Sequence, residues 1–272
     1  MDLPGVRHVD FAGGRIGYRE AGEGPALVFL HGLGGNSASW EPQLAVFSSR
    51  FRTIAWDLPG FGASDPLPLA EPATGDYGKA FCGFLDVLGI GRAHLVGTSY
   101  GTVILAEFAR AWPDRVASLI FACGVTGFGR LQASERAALR ATRRKELAEI
   151  GQRRFAETRN AAYLGKGAPA AVVAQVVAIA GSADPAGYLQ AYGALTESDI
   201  FASLAHLRAR ALVLSGSDDP IARPADCERV ARALSGAEYR CIDGVGHYAN
   251  LEQADQFNRI VGEFIARADA AS

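Results

Sequence analysis

The sequence predicts an α/β fold: a mostly parallel sheet of about eight strands, helices on both faces and an inserted helical cap. Three observations predict it. Short β-branched and apolar runs alternate with helix-compatible stretches; a Gly-x-Ser-x-Gly element sits between one such run and a helix; and a helical stretch of roughly 80 residues interrupts the alternation.

Taken in order, Val6 to Phe11 and Arg15 to Glu20 flank the turn dipeptide Gly13-Gly14 and read as an antiparallel hairpin at the sheet edge. Ala26 to Leu30, Arg52 to Trp56 and His94 to Val96 each end in a sharp turn and lead into a helical stretch. Val116 to Ala122, Ala211 to Leu214 and Tyr239 to Ile242 supply the remaining strands. Between Cys123 and Ala211 the pattern is helical, with breaks at Gly165 to Pro169 and Gly181 to Pro185. The predicted division is a core of residues 1–124 and 206–272 and a cap of residues 125–205.

The 272 residues suit one α/β domain with an insertion, and 49% apolar residues are enough for a buried core. A formal net charge of -2 gives little attraction for polyanions, so nucleic acid is not a predicted partner. The charge is uneven: Arg130 to Lys166 holds ten Lys/Arg against four Glu, a local +6, leaving -8 on the rest. That excess either attracts a carboxylate-bearing substrate or is spent in helical pairs with Glu135, Glu146, Glu149 and Glu157.

Met1 is followed by Asp2, Pro4 and Gly5 rather than by a basic stretch leading into an apolar one, so no secretory signal is predicted. The most apolar window, Ala170 to Ala180, is interrupted by Gln175 and falls short of the about 20 residues a membrane helix needs. The expectation is a cytoplasmic protein without a membrane partner. Cys82, Cys123, Cys227 and Cys241 are far apart and form no CxxC pair, so all four are expected to be buried free thiols. With no HExxH, no GxGxxG after a strand and no P-loop, neither metal nor cofactor is implied; the predicted partner is a small-molecule substrate, and oligomeric state is not legible.

Gly97-Thr98-Ser99-Tyr100-Gly101 follows the strand His94 to Val96 and precedes a helix from Thr102 to Ala111. Glycines two residues either side of the serine allow a tight turn that exposes its hydroxyl above the strand ends. Ser99 is therefore the candidate nucleophile. Such a hydroxyl needs a base, and His247, in a glycine-rich loop after the last strand, is placed to serve where His8, His94 and His206 are not. The acid that orients the base is expected between them in chain order. Asp219, just after the strand ending at Leu214, fits; its neighbour Asp218 is the rival. The developing oxyanion needs backbone donors, and the N–H groups of Leu33 and Tyr100 are the candidates. Trp40, Phe128, Tyr163, Tyr188 and Tyr192 are candidate pocket walls, although aromatics at helical spacing also serve as plain core.

His31-Gly32-Leu33-Gly34, Asp57 to Ser64, Gly97 to Gly101, Gly216 to Asp219 and Gly246-His247 together resemble the α/β-hydrolase family, over nearly the whole chain outside the cap. The resemblance implies that Asp57 to Ser64 is a structural loop bordering the site. Ser99 stands where the haloalkane dehalogenase branch has Asp. Within the family the chain is most similar to the 3-oxoadipate enol-lactonase branch, through Asp184-Pro185-Ala186-Gly187-Tyr188 and Glu197-Ser198-Asp199-Ile200. The implied activity is hydrolysis of a small ester or lactone, one carrying a carboxylate in the enol-lactone case, through an acyl-enzyme on Ser99. Two alternatives stand beside it: hydrolysis of a carbon–carbon bond in a vinylogous diketone, and a non-catalytic small-molecule receptor on the same fold.

Overall fold

A computed structural model describes residues 3–11 and 14–270. Met1, Asp2 and the Gly13 half of the predicted turn lie outside the described residues. The strands are β1 (Arg7–Phe11), β2 (Gly14–Ala21), β3 (Ala26–Leu30), β4 (Arg52–Trp56), β5 (Ala93–Thr98), β6 (Val116–Ala122), β7 (Ala211–Gly216) and β8 (Glu238–Ile242). They form one sheet in the order β1-β2-β4-β3-β5-β6-β7-β8, antiparallel between β1 and β2 and between β2 and β4, and parallel elsewhere. The inner strands are apolar at nearly every position because both of their faces are covered.

The α-helices before β6 are α1 (Glu41–Phe47), α2 (Thr74–Val87) and α3 (Tyr100–Ala111). Between the neighbouring strands β6 and β7 lie α4 (Ala133–Phe155), α5 (Ala170–Gly181), α6 (Pro185–Glu197) and α7 (Ile200–Leu204), and α8 (Pro224–Ala233), α9 (Ala249–Glu252) and α10 (Ala254–Asp269) follow. Register decides which helices cover which face. Phe29 pairs with Ala55 and Leu30 with Trp56, so Phe29 and Trp56 point to opposite sides of the sheet. Phe29 meets Trp40 (4.9 Å between ring centres) and Phe47 of α1, and Trp40 in turn meets Phe257 of α10. Trp56 meets Phe81 and Phe84 of α2. Trp40 is thus part of the core between β3, α1 and α10, fully buried and not a pocket wall.

The helices between β6 and β7 contact the loop after β4: Gln190 Nε2 donates to the carbonyls of Leu67 and Leu69. Within the same stretch the Ile200 N–H donates to Thr126 O. Within α4 the chain breaks helical geometry at Gly151 (φ 73°, ψ 162°), a kink. No single helix among the described residues is long and apolar enough to cross a membrane. Cys82, Cys123 and Cys227 are buried, but Cys241 is exposed, because β8 is an edge strand that turns Arg240 and Cys241 to solvent.

Candidate active site

The sheet register assembles the site. Leu30 pairs with Gly97, which sets the loop after β3 beside the turn after β5; Gly216 pairs with Ile242, which sets the Asp219 loop beside the His247 loop. Ser99 stands at φ 50°, ψ -121°, a backbone geometry that costs a non-glycine residue about 1–3 kcal/mol and persists only where its surroundings enforce it. The enforcement is visible: the Ser99 N–H donates to Ala122 O, while its own carbonyl accepts from the Thr102 N–H and from Thr102 Oγ1 at 2.6 Å. A side chain at Gly101 would sit 2.5 Å from Leu30 O, so only glycine lets α3 start this close to β3.

Asp219 and His247 are in contact. Asp219 Oδ2 lies 2.8 Å from His247 Nδ1, and Oδ1 accepts from the N–H groups of Ile221 (2.8 Å) and Ala222 (2.9 Å). Burial works to raise the Asp219 pKa, but His247 and the two amides more than offset it and hold the carboxyl below its usual range. Asp218 is exposed and accepts only from Ser217 Oγ among the described side chains. Ser99 and His247 share one cavity with His31, Gly32, Leu33 and Asn250.

Leu33 lines that cavity, and Tyr100 opens α3, where the first-turn N–H groups lack intrahelical acceptors. The loop carrying Leu33 is fixed by His31. The Leu58 N–H donates to His31 Nε2 at 2.9 Å, so the ring proton resides on Nδ1, which donates to Gly32 O at 2.8 Å. Burial lowers the His31 pKa, against the Gly32 bond and the Asp57 charge, and keeps the ring neutral. Asp57 accepts from the Ser37 and Ala63 N–H groups, and Ser64 Oγ donates to Asp57 O, which ties the loop from Asp57 to Ser64 to the site border.

The predicted pocket walls fare less well, since none of the five lines the cavity at Ser99. Phe128 packs half-buried against the core. Tyr188 and Tyr192 stack on each other within the insertion, beside Phe155 and around the Arg143 guanidinium, and the Tyr188 hydroxyl accepts from Arg143. Tyr163 comes nearest: its ring meets His247 edge-on at 6.2 Å, and its carbonyl accepts the His247 N–H. The residues that sequence reasoning missed are Tyr248 and Asn250, both cavity-lining, and Glu252, whose carboxylate bonds to the histidine loop. Their only sequence signal is proximity to His247.

The cavity is narrow, about 30 Å³, room for a water or two. A larger hollow of about 460 Å³ lies between α8 and β8, lined by Glu228, Arg232 and Tyr239 among others, and contains none of the candidate site residues. The cations of the insertion are mostly paired. Among the described residues, all the Lys and Arg from Arg130 to Lys166 except Arg144 and Lys166 form ion pairs with carboxylates, and Arg136 and Arg140 share Glu197.

Comparison with known proteins agrees with this arrangement. A sequence model of the alpha/beta hydrolase fold family matches residues 25–254. The chain is 30% identical to the 2-hydroxy-6-oxononadienedioate/2-hydroxy-6-oxononatrienedioate hydrolase of Burkholderia vietnamiensis, over 93% of this chain and 91% of that protein. It is 28% identical to 3-oxoadipate enol-lactonase 2 of Acinetobacter baylyi, over 89% of each. The crystal structure of the enol-lactonase from Burkholderia xenovorans superposes with a TM-score of 0.85 at 25% identity, covering 96% of this chain and 100% of that one. A sheet of this order, a serine on a strained turn between strand and helix, and a match across most of its length make this chain a member of the α/β-hydrolase family and a hydrolase.

Proposed function

We propose that the protein hydrolyses a small ester or lactone through an acyl-enzyme on Ser99. The observation that carries this is the buried Asp219–His247 pair opening onto the same cavity as the strained Ser99. Ser99 Oγ attacks the carbonyl carbon as its proton passes to His247 Nε2; Asp219 holds the other ring nitrogen and stabilises the imidazolium. The Leu33 and Tyr100 N–H groups receive the oxyanion. Collapse breaks the carbonyl–oxygen bond, and the leaving oxygen takes the proton from His247. Water then attacks the acyl group as His247 again accepts a proton, which it returns to Ser99 Oγ when the acyl–oxygen bond breaks and the acid leaves. The helices of residues 125–205 act as a cap over this chamber, with Tyr163 beside the histidine.

A second reaction, hydrolysis of a carbon–carbon bond in a vinylogous diketone, is favoured by the relative named for a hydroxy-oxo-dienedioate substrate. A carboxylate on the substrate draws less support than the net charge of the cap suggests, since no Lys or Arg lines the cavity at Ser99. The test is a screen of small esters, lactones and vinylogous diketones against wild type and Ser99→Ala, with product identification. Turnover should fall by several orders of magnitude in Ser99→Ala with the fold intact. Retention of most activity overturns the assignment.

A further inference from the structure

Glu252 is about nine-tenths buried, and among the described residues it forms no ion pair. Its carboxylate is instead satisfied by three backbone N–H groups. Oε2 accepts from Gly165 at 2.7 Å and Gly246 at 3.0 Å, and Oε1 accepts from Tyr248 at 3.0 Å. Gly246 and Tyr248 flank His247, whose own N–H donates to Tyr163 O at 2.8 Å. Three consecutive amides around the histidine are therefore fixed, the outer two by Glu252 and the middle one by the inserted segment. Gly165 belongs to that same segment, so Glu252 closes a ring that joins Tyr163–Gly165 to Gly246–Tyr248.

The packing is as close as the backbone permits: a side chain on Gly246 would lie 2.3 Å from Gly165 N and 2.4 Å from Tyr163 O. A glycine-rich loop has no stiffness of its own. Asp219 fixes one nitrogen of the ring, but the position of the ring relative to Ser99 depends on the peptide units that carry it. We propose that Glu252 is a positioning residue for His247, registering the catalytic loop against the inserted helices so that Nε2 stands where the Ser99 proton leaves. Local helix capping accounts for the Tyr248 bond alone, since Gly165 lies on another element. The inference rests on the assignment of His247 as general base.

The experiment compares Glu252→Gln and Glu252→Asp with wild type. The amide of Gln has the same size, but its NH₂ cannot accept, so at least one of the three N–H groups loses its partner. In Glu252→Gln, kcat on the best ester and the rate of Ser99 modification by a fluorophosphonate should fall together by about ten- to a hundred-fold, the scale of a misplaced catalytic group. KM should stay within about threefold, unfolding should remain cooperative, and Glu252→Asp should recover part of kcat. The low-field proton resonance of the Asp219–His247 hydrogen bond needs no substrate; it should be sharp in wild type and broadened in Glu252→Gln. An unchanged kcat with an unchanged resonance overturns the proposal, as does a rise in KM alone. Loss of cooperative unfolding in both variants makes Glu252 a folding residue and overturns it too. Wild type that neither turns over esters nor reacts with the fluorophosphonate counts against the proposed function, and the resonance still decides the role of Glu252.

Discussion

Asp219 receives hydrogen bonds from His247 and two backbone amides, while the carboxylate of Asp218 faces water. Asp219→Asn should therefore lower kcat by roughly 10⁴-fold, because the amide stabilises the wrong imidazole tautomer, and Asp218→Asn should stay within about twofold. The reverse order in steady-state kinetics moves the acid by one residue. Chain order and strand position narrowed the acid to this pair; choosing between them needs side-chain direction, which the loop geometry supplies. His31 carries a second prediction. Its folded-state pKa is lowered by burial below the ordinary 6.5, so as pH falls the unfolded chain takes up the proton first. Its effect on stability is nil above about pH 6.5 and becomes unfavourable as pH drops below that value. His94, also lowered by burial, adds to the slope. Denaturant unfolding across this range should show a shallower decline in His31→Gln, and an identical decline would clear His31 of the effect.

At the scale of elements, strands were legible and the packing between inserted helices was not. Each strand covered on both faces writes a continuous apolar run, as in Leu-Ile-Phe-Ala of β6, so Ala26–Leu30 and Val116–Ala122 fall where the sequence places them. Serine, histidine and their loops follow from those strand ends. The insertion is set by contacts between residues distant in sequence: Arg143 of α4 lies against Tyr188 and Tyr192 of α6, a contact that no local pattern announces. The Gly151 kink was hidden for a similar reason, since a glycine amid good helix formers reads as tolerated. Gly151→Ala gives a test. Alanine is the best helix former, yet at φ 73°, ψ 162° only glycine is at ease, and no atom lies within 4 Å of an added Cβ. The substitution should destabilise by about 1–3 kcal/mol through backbone strain alone. A thermal midpoint that rises instead means that the kink straightens at no cost.

Across the whole molecule, the basic cap and acidic remainder suggest electrostatic attraction of an anionic substrate. Arg153 and Arg154 share Glu157, and Arg143 and Arg159 share Glu146, so the excess positive charge remains, but it lies on the outer surface and no Lys or Arg lines the cavity at Ser99. Salt should then have little influence: the catalytic efficiency for a carboxylate-bearing ester should not exceed that for its neutral methyl ester at either low or high ionic strength. A preference for the charged ester that salt erases would restore the cap cations to substrate capture. The narrowness of the chamber at Ser99 bears on how such measurements are read. That space opens to solvent on one side and is smaller than an ester, so a substrate that binds wholly within it displaces lining side chains such as Leu33 or Tyr248. For such a substrate, measured affinity is the intrinsic affinity diluted by the fraction of molecules already wide enough. A panel of compounds will be ranked in part by how well each props the chamber apart, and the tightest binder need not be the one whose carbonyl sits best for attack.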